Sequence, residues 1–477
     1  MSINVDRNWT SQALSLAFLT YVAQAVSIVI IPFMARVFAP EQYGLFAVYL
    51  AYIAVASVFS TWRYSMAIAL PEDHRQAAIV VQACLAIIVT MTAVFAGFVV
   101  AAEVSGYSGQ ISEFAGVPLV ILYVFPLGIM LAGFMNVLSG WSLRTSNAAH
   151  VGLARIVQIL VGAGCQLFLG VYWEASVVSL VLGQLIGQLA SIAVQATLSH
   201  RETGAYYEWY GISSAVRAVL LKYKSLPQTL VQTDLMNALG KKTLPVFISV
   251  LFGSKLAGLL SFATNVINAP LAAITASIWQ VSHNRLSRQE ESERSRTLVL
   301  IHNLSSYLFS LPVVAIIVFR DQLPLILGDT WKDLPEVVPF LAAMIFMNSV
   351  SNTTSYFVVF RRFRQESMAN ILLTILPIVS VVVGSMLLNG VETIALYCGL
   401  SALFYLVLNI YWGATTDNLG VFWKNLVLSI LVNTACLLLI RMVFDVSMWA
   451  GVASGLVYMS GYYLLIIRRR FRDLKGV

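Results

Sequence analysis

Charge is what this 477-residue sequence has least of. Charged residues make up 11% and hydrophobic residues 59%, whereas a soluble chain carries about 25% charged. A water-soluble globule cannot cover that much apolar surface, so the several soluble domains that the length would allow are excluded. Cysteine is scarce as well. The four, Cys84, Cys165, Cys398 and Cys436, lie far apart inside apolar runs and without metal-ligand spacing, and read as small apolar packing residues. There is no P-loop, which leaves ATP-driven transport without support. The apolar runs do not alternate over about ten residues, as the strands of a membrane β-barrel would. The opening stretch "MSINVDRNWTSQALSLAFLT" has a weakly basic start, an apolar run longer than a signal core and no small-residue cleavage site, so the first helix is expected to be retained.

Long apolar runs are what the sequence has in plenty. Runs near or above the roughly 20 residues that cross a bilayer as a helix recur fourteen times. They centre near Ala25, Tyr52, Val89, Leu127, Leu160, Gly183, Leu239, Val266, Phe309, Met347, Pro377, Phe404, Val432 and Val457. The expected fold is an all-α polytopic membrane protein with about fourteen transmembrane helices.

Fourteen spans put both termini on one side. On that side fall 21 of the 29 Lys and Arg residues. Five lie on the other (Arg36, Lys255, Arg320, Lys332, Arg441) and three within spans (Arg155, Lys241, Lys242). Basic loops stay cytoplasmic, so both termini are expected in the cytoplasm. The same asymmetry accounts for most of the net charge of +7 without a nucleic-acid partner, and the tail "RRRFR" from Arg468 reads as a topology anchor.

The loops on the outer side are too short for a catalytic domain. On the inner side, "SHRETGAYYEWYGISSAVRAVLLKYK" from Ser199 mixes aromatics with bases, and Tyr206, Tyr207, Trp209 and Tyr210 suit the headgroup layer. We read it as a helix lying in the interface. "SHNRLSRQEESERSRT" from Ser282 reads as a solvated charged segment.

The chain says nearly the same thing twice. "FAPEQYGLF" begins at Phe38 and "FGSKLAGLL" at Phe252, 214 positions on. Each follows a long apolar run at the outer end of a span, the first between spans one and two, the second between spans seven and eight. Gly44 and Gly258 fit close backbone turns. A repeat of six spans with unchanged membrane orientation is a parallel repeat, as in some secondary transporters. The expected organisation is a six-helix lobe over residues 1–200, a cytoplasmic interfacial segment over 201–225, a second six-helix lobe over 226–415, and two extra transmembrane helices with a basic tail over 416–477.

Four segments, in this order, resemble a known family: "ARVFAPEQYGLFA" from Ala35, "TWRYSMAIALPE" from Thr61, "LPVFISVLFGSKLAGLLSFATNVINAPLAAITASIWQVSHNRLS" from Leu244, and "LILGDTWKDLPEVVPFLA" from Leu325 with a Gly-x-x-Trp turn at Gly328 and Trp331. The chain resembles the bacterial polysaccharide exporters and O-antigen-type flippases of the multidrug/oligosaccharidyl-lipid/polysaccharide exporter superfamily. The resemblance implies two lobes around a central cavity that opens alternately inward and outward. It implies no enzyme activity but a flippase, moving an undecaprenyl-diphosphate-linked oligosaccharide (an O-antigen, capsule or exopolysaccharide repeat unit) from the inner to the outer leaflet of the cytoplasmic membrane. A polysaccharide polymerase and a chain-length regulator are the partner proteins considered beside membrane lipids.

Charges inside spans point to a site, because a charge at mid-membrane costs roughly 2.5–3.5 kcal/mol on insertion scales. In span seven Asp234, Asn237 and Lys241 stand at i, i+3 and i+7, on one helix face, flanked by Thr233 and Lys242. Two readings are open: a polar face lining a cavity, or structural pairing with neighbouring helices. Arg155 in span five either faces that cavity or snorkels to the cytoplasm. Arg63, at the inner end of span two, is a positive-inside anchor or a guanidinium placed where a diphosphate arrives. A cavity carrying Lys241, Lys242, Arg155 and Arg63, with Asn237 beside them, would offset phosphate desolvation while the prenyl tail stays in lipid. Asp234 is the one acid well inside a span, and so the candidate for proton or sodium coupling. No cofactor or metal is expected. "GQLIG", Gly183 to Gly187, reads as helix packing, and Pro32, Pro245, Pro270 and Pro377 as packing positions or kinks.

Three other classes remain open, one of them a non-transporting lipid-binding or scaffold protein, against which the polar face of span seven argues. A membrane glycan polymerase would need a sizeable outer loop with catalytic residues. A cation-coupled drug antiporter of the same superfamily would favour an acidic lumen, whereas one acid and three bases lie within these spans.

Overall fold

The computed structural model describes residues 7–115, 117–145, 147–203, 214–286, 289–351, 357, 360, 362–416 and 418–475. Every regular element among them is helical. Thirteen helices among the described residues are long and apolar enough to cross a membrane. Each coincides with one of the fourteen expected spans. The remaining span, centred near Val266, falls in a helix of 33 residues, Ser254–Leu286. In hydrocarbon each backbone N–H and C=O must be satisfied internally, and a long helix does this within one segment. The protein is a multi-pass membrane protein.

The chain divides into two compact units, Met1–Ser261 and Phe262–Val477. The first unit begins with α1 (Arg7–Val37), α2 (Pro40–Ser60), α3 (His74–Val104), α4 (Ser108–Ala115), α5 (Leu119–Arg144), α6 (Ala148–Tyr172) and α7 (Val177–Thr203). Its core is aliphatic and aromatic: Val48, Tyr49 and Ile53 of α2 meet Ile129 and Leu131 of α5 and Val181 and Leu185 of α7. Lipid is as apolar as these side chains, so close backbone approach contributes to holding the helices together. Gly187 supplies it: a Cβ there would stand 2.8 Å from the Gly162 Cα. The "GQLIG" segment is thus a packing face of α7 on α6.

Span seven forms over Pro227–Phe252 but is irregular. The chain passes through α8 (Ser214–Lys222), a π-helical turn Pro227–Val231, α9 (Gln232–Lys242) and α10 (Leu244–Phe252). The prolines explain the breaks. Pro227 opens the π turn and Pro245 lies in the first turn of α10, positions where a missing N–H costs no helical hydrogen bond. The Thr243 hydroxyl donates back to the Leu239 carbonyl at the junction. Pro32 and Pro270, by contrast, sit inside continuous helices, α1 and α11 (Ser254–Leu286). The aromatic run Tyr206, Tyr207, Trp209 and Tyr210 lies outside the described residues.

The second unit contains α12 (Glu291–Val318), α13 (Leu323–Leu327), α14 (Leu334–Ser351), α15 (Phe363–Leu387), α16 (Gly390–Thr415), α17 (Leu419–Val446) and α18 (Met448–Lys475). Pro377 lies inside α15. At the start of α16 Asn389 and Glu392 form a reciprocal capping box. The Gly-x-x-Trp segment is a tight turn. Gly328 has φ 105°, open to glycine without strain, and Trp331 is fully buried against Phe262 with ring centroids 4.0 Å apart. The last two helices are tied to α12 by polar side chains. Asn433 of α17 donates to Ser310 Oγ at 2.9 Å and accepts from the Tyr458 hydroxyl at 2.8 Å, and Tyr462 donates to the Tyr307 carbonyl at 3.0 Å.

Candidate functional site

The site is built on the segment "TWRYSMAIALPE". α2 ends at Ser60, and the chain then reverses without a glycine. Trp62 has φ 48° and Arg63 φ 63°, a left-handed conformation uncommon for residues with a side chain. Such positions cost on the order of 1–3 kcal/mol each and persist only where the surroundings hold them.

Here the surroundings do. Tyr64–Ala69 follows as a 3-10 turn. Its Tyr64 hydroxyl donates to the Leu220 carbonyl of α8 at 3.0 Å. The Arg144 guanidinium, at the end of α5, donates to the carbonyls of Ile68 at 3.2 Å, Pro71, and Glu72 at 3.1 Å. Ile68 and Ala67 are fully buried. The Trp62 indole N–H points to the Met91 sulfur at 3.4 Å, with the Phe59 ring edge-on at 5.7 Å. Arg63 is thereby presented from a fixed elbow.

Asp234 meets it. The Asp234 Oδ2 and the Arg63 Nε form an ion pair, with the two side chains 31% (Arg63) and 27% (Asp234) exposed. The contact is charge to charge, since the buried Nε–H makes no aligned hydrogen bond. Asp234 is the third residue of α9, which follows directly on the π-helical turn, a feature that recurs at functional sites. The pair sits beside the C-terminal end of α2.

The other residues singled out from the sequence are placed as follows. Asn237 is half-buried one turn beyond Asp234. Lys242 is exposed at the C-terminal end of α9, next to the break at Thr243. Lys241 belongs to α9, but its side chain lies outside the described residues. Arg155 is exposed on α6, and among the described residues no recorded contact joins it to the pair. Of the six, the structure brings together Arg63 and Asp234. Arg144 had no functional signal in the sequence beyond its place at a helix end. His302 is buried and stacked on Phe422, ring centroids 3.9 Å apart.

Residues 33–336 match the family described as polysaccharide biosynthesis protein. The chain belongs to that family. Among solved structures its fold is similar to that of the lipid II flippase MurJ in an inward closed conformation, with a TM-score of 0.70 and 10% identity over 95% of this chain and 99% of that one. It is also similar to an inward-facing multidrug resistance MATE family transporter of the MOP superfamily, with a TM-score of 0.61 and 15% identity over 83% of this chain and 95% of that one. At such identities the likeness shows the fold alone: this member of the polysaccharide biosynthesis family has a MurJ/MATE-like fold. No curated protein matches the sequence.

Proposed function

We propose that the protein is a flippase that carries a saccharide on a prenyl diphosphate from the inner to the outer leaflet of the bacterial cytoplasmic membrane by alternating access. The observation that carries this reading is the match to the polysaccharide biosynthesis family together with a fold likeness to a lipid II flippase over 95% of the chain. The charge distribution supports the orientation, with both termini cytoplasmic. The saccharide and the diphosphate are the parts that cannot enter hydrocarbon. Arg63, with Lys241, Lys242 and Arg155 as further cations and Asn237 as a neutral donor, would offset the loss of phosphate hydration. The prenyl chain stays in lipid throughout, and no covalent bond need break. An O-antigen, capsule or exopolysaccharide unit fits this chemistry. Asp234 is the residue through which a proton or sodium gradient would drive the cycle. A polymerase and a chain-length regulator would act on the product.

The test uses proteoliposomes carrying a fluorescent lipid-diphosphate oligosaccharide in one leaflet. Its appearance in the opposite leaflet, dependent on the wild-type protein, is the expected result. Loss in a folded Lys241→Ala/Lys242→Ala variant supports the lysines as part of the site. Drug–cation exchange in the same vesicles without flipping would assign the protein to the antiporter class. Unchanged transport and ion dependence in Asp234→Asn would place coupling elsewhere.

A further inference from the structure

We propose that Arg63 and Asp234 are an exchangeable pair, in which Asp234 is the resting counter-ion of Arg63 and the diphosphate of the substrate displaces it. The displaced carboxylate then takes up a monovalent cation or a proton. This rests on the flippase reading for the identity of the anion.

Four observations carry it. A guanidinium has five N–H donors, and among the described residues the recorded partner of Arg63 is Asp234, met through Nε without an aligned hydrogen bond. The fork of the guanidinium is therefore left for a bidentate anion, the geometry in which arginine holds phosphate best. Both side chains are close to one-third exposed, so a ligand can reach them. The elbow is fixed, by Arg144 on the carbonyls of Ile68, Pro71 and Glu72 and by Tyr64 on Leu220. Arg63 is thus held in place for an incoming ligand. The partner, in contrast, stands on an irregular helix, between the π turn Pro227–Val231 and the interruption at Thr243.

Electrostatics makes the exchange directional. The resting pair is neutral. A diphosphate on Arg63 places a second anion beside the carboxylate, and two anions on one guanidinium repel. The cheaper arrangement has the diphosphate on Arg63 and a small cation or proton on Asp234. Substrate on Arg63 thus raises the affinity of Asp234 for a cation, and by reciprocity the cation raises the affinity for substrate.

The test measures binding of radiolabelled geranylgeranyl diphosphate to the full chain in nanodiscs, with flipping of the lipid-linked oligosaccharide followed in parallel. Asp234→Asn removes the competitor and should bind roughly two- to fivefold tighter than wild type, the size expected of a partly exposed ion pair. Sodium replacing a large organic cation at constant ionic strength should tighten the wild type and leave Asp234→Asn unmoved. Arg63→Gln should lose binding. Arg63→Lys keeps the ion pair but not the fork, and should fold while binding more weakly than wild type. Where Asp234→Asn does not give folded protein, Asp234→Ser carries the same expectation. Wild-type binding and flipping with no tightening in the Asp234 variants would overturn the exchange and leave the flippase reading standing. Binding by Arg63→Gln equal to wild type would overturn it as well. Neither binding nor flipping by any variant would overturn both.

Discussion

Gly44 and Gly258 lie against each other backbone to backbone, in the first turns of α2 and α11, and their contacts mirror one another. A Cβ on Gly44 would stand 2.7 Å from the Ser254 carbonyl carbon and 3.0 Å from the Gly258 nitrogen; a Cβ on Gly258 would stand 2.7 Å from the Pro40 carbonyl carbon and 3.0 Å from the Gly44 nitrogen. Pro40 and Ser254 each precede their glycine by four residues and each opens a helix. The two segments, which share Phe, Gly and Leu at the same three of nine positions, therefore meet as a pseudo-symmetric pair, and glycine is required at both because the facing atoms are backbone.

Substitution at either glycine should part the same contact. Gly44→Ala and Gly258→Ala are each expected to destabilise by roughly 1–3 kcal/mol, as overpacking does, and the double variant by little more than the worse single one, because neighbours that share a contact are not additive. Thermal unfolding of the purified protein in detergent measures this. Simple additivity would show that the two glycines act separately.

The glycines of the α6–α7 hairpin offer an internal contrast. A Cβ on Gly187 would lie 2.6 Å from the Gln158 carbonyl oxygen, whereas at Gly164 nothing lies within 4 Å. Gly187→Ala should cost about 1–3 kcal/mol. Gly164→Ala should be neutral or gain up to about 1 kcal/mol from helix propensity. Comparing the two unfolding midpoints separates backbone approach from propensity.

Arg144 is the strap on the elbow. Arg144→Ala leaves the carbonyls of Ile68, Pro71 and Glu72 without its donors and removes charged hydrogen bonds worth about 1.5–3 kcal/mol. The expected outcome is a folded protein in which the 61–73 segment is cut faster by protease and transport falls toward the level of Arg63→Gln. Unchanged proteolysis and transport would show that the elbow holds itself.

Asn433 is the polar hub of the last helices. It is fully buried, and its amide reaches Ser310 Oγ at 2.9 Å, the Ser429 carbonyl at 2.8 Å and the Tyr462 hydroxyl at 2.8 Å. Asn433→Leu should cost about 1–2 kcal/mol, the range of buried polar contacts between membrane helices. It should loosen α18, read as faster proteolysis at the tail. Flipping per folded molecule should persist, since the hub lies outside the Arg63–Asp234 site.

Much of this protein could be read from its sequence, and the division follows from range. Hydropathy acts locally, and a membrane span satisfies its own backbone, so the fourteen apolar runs marked the helices and the repeated segments marked two corresponding turns. The resemblance of four ordered segments marked the family. Residue type alone singled out Arg63 and Asp234, because charges near or within membrane spans need a reason. Their pairing was not legible: they are 171 positions apart, and an ion pair leaves no periodicity in a chain. Nor was the strap from Arg144, the left-handed turn at Trp62 and Arg63, or the π turn that interrupts span seven. Those depend on which backbone carbonyls and charges the packed helices bring within reach of each other, and only the tertiary structure decides that.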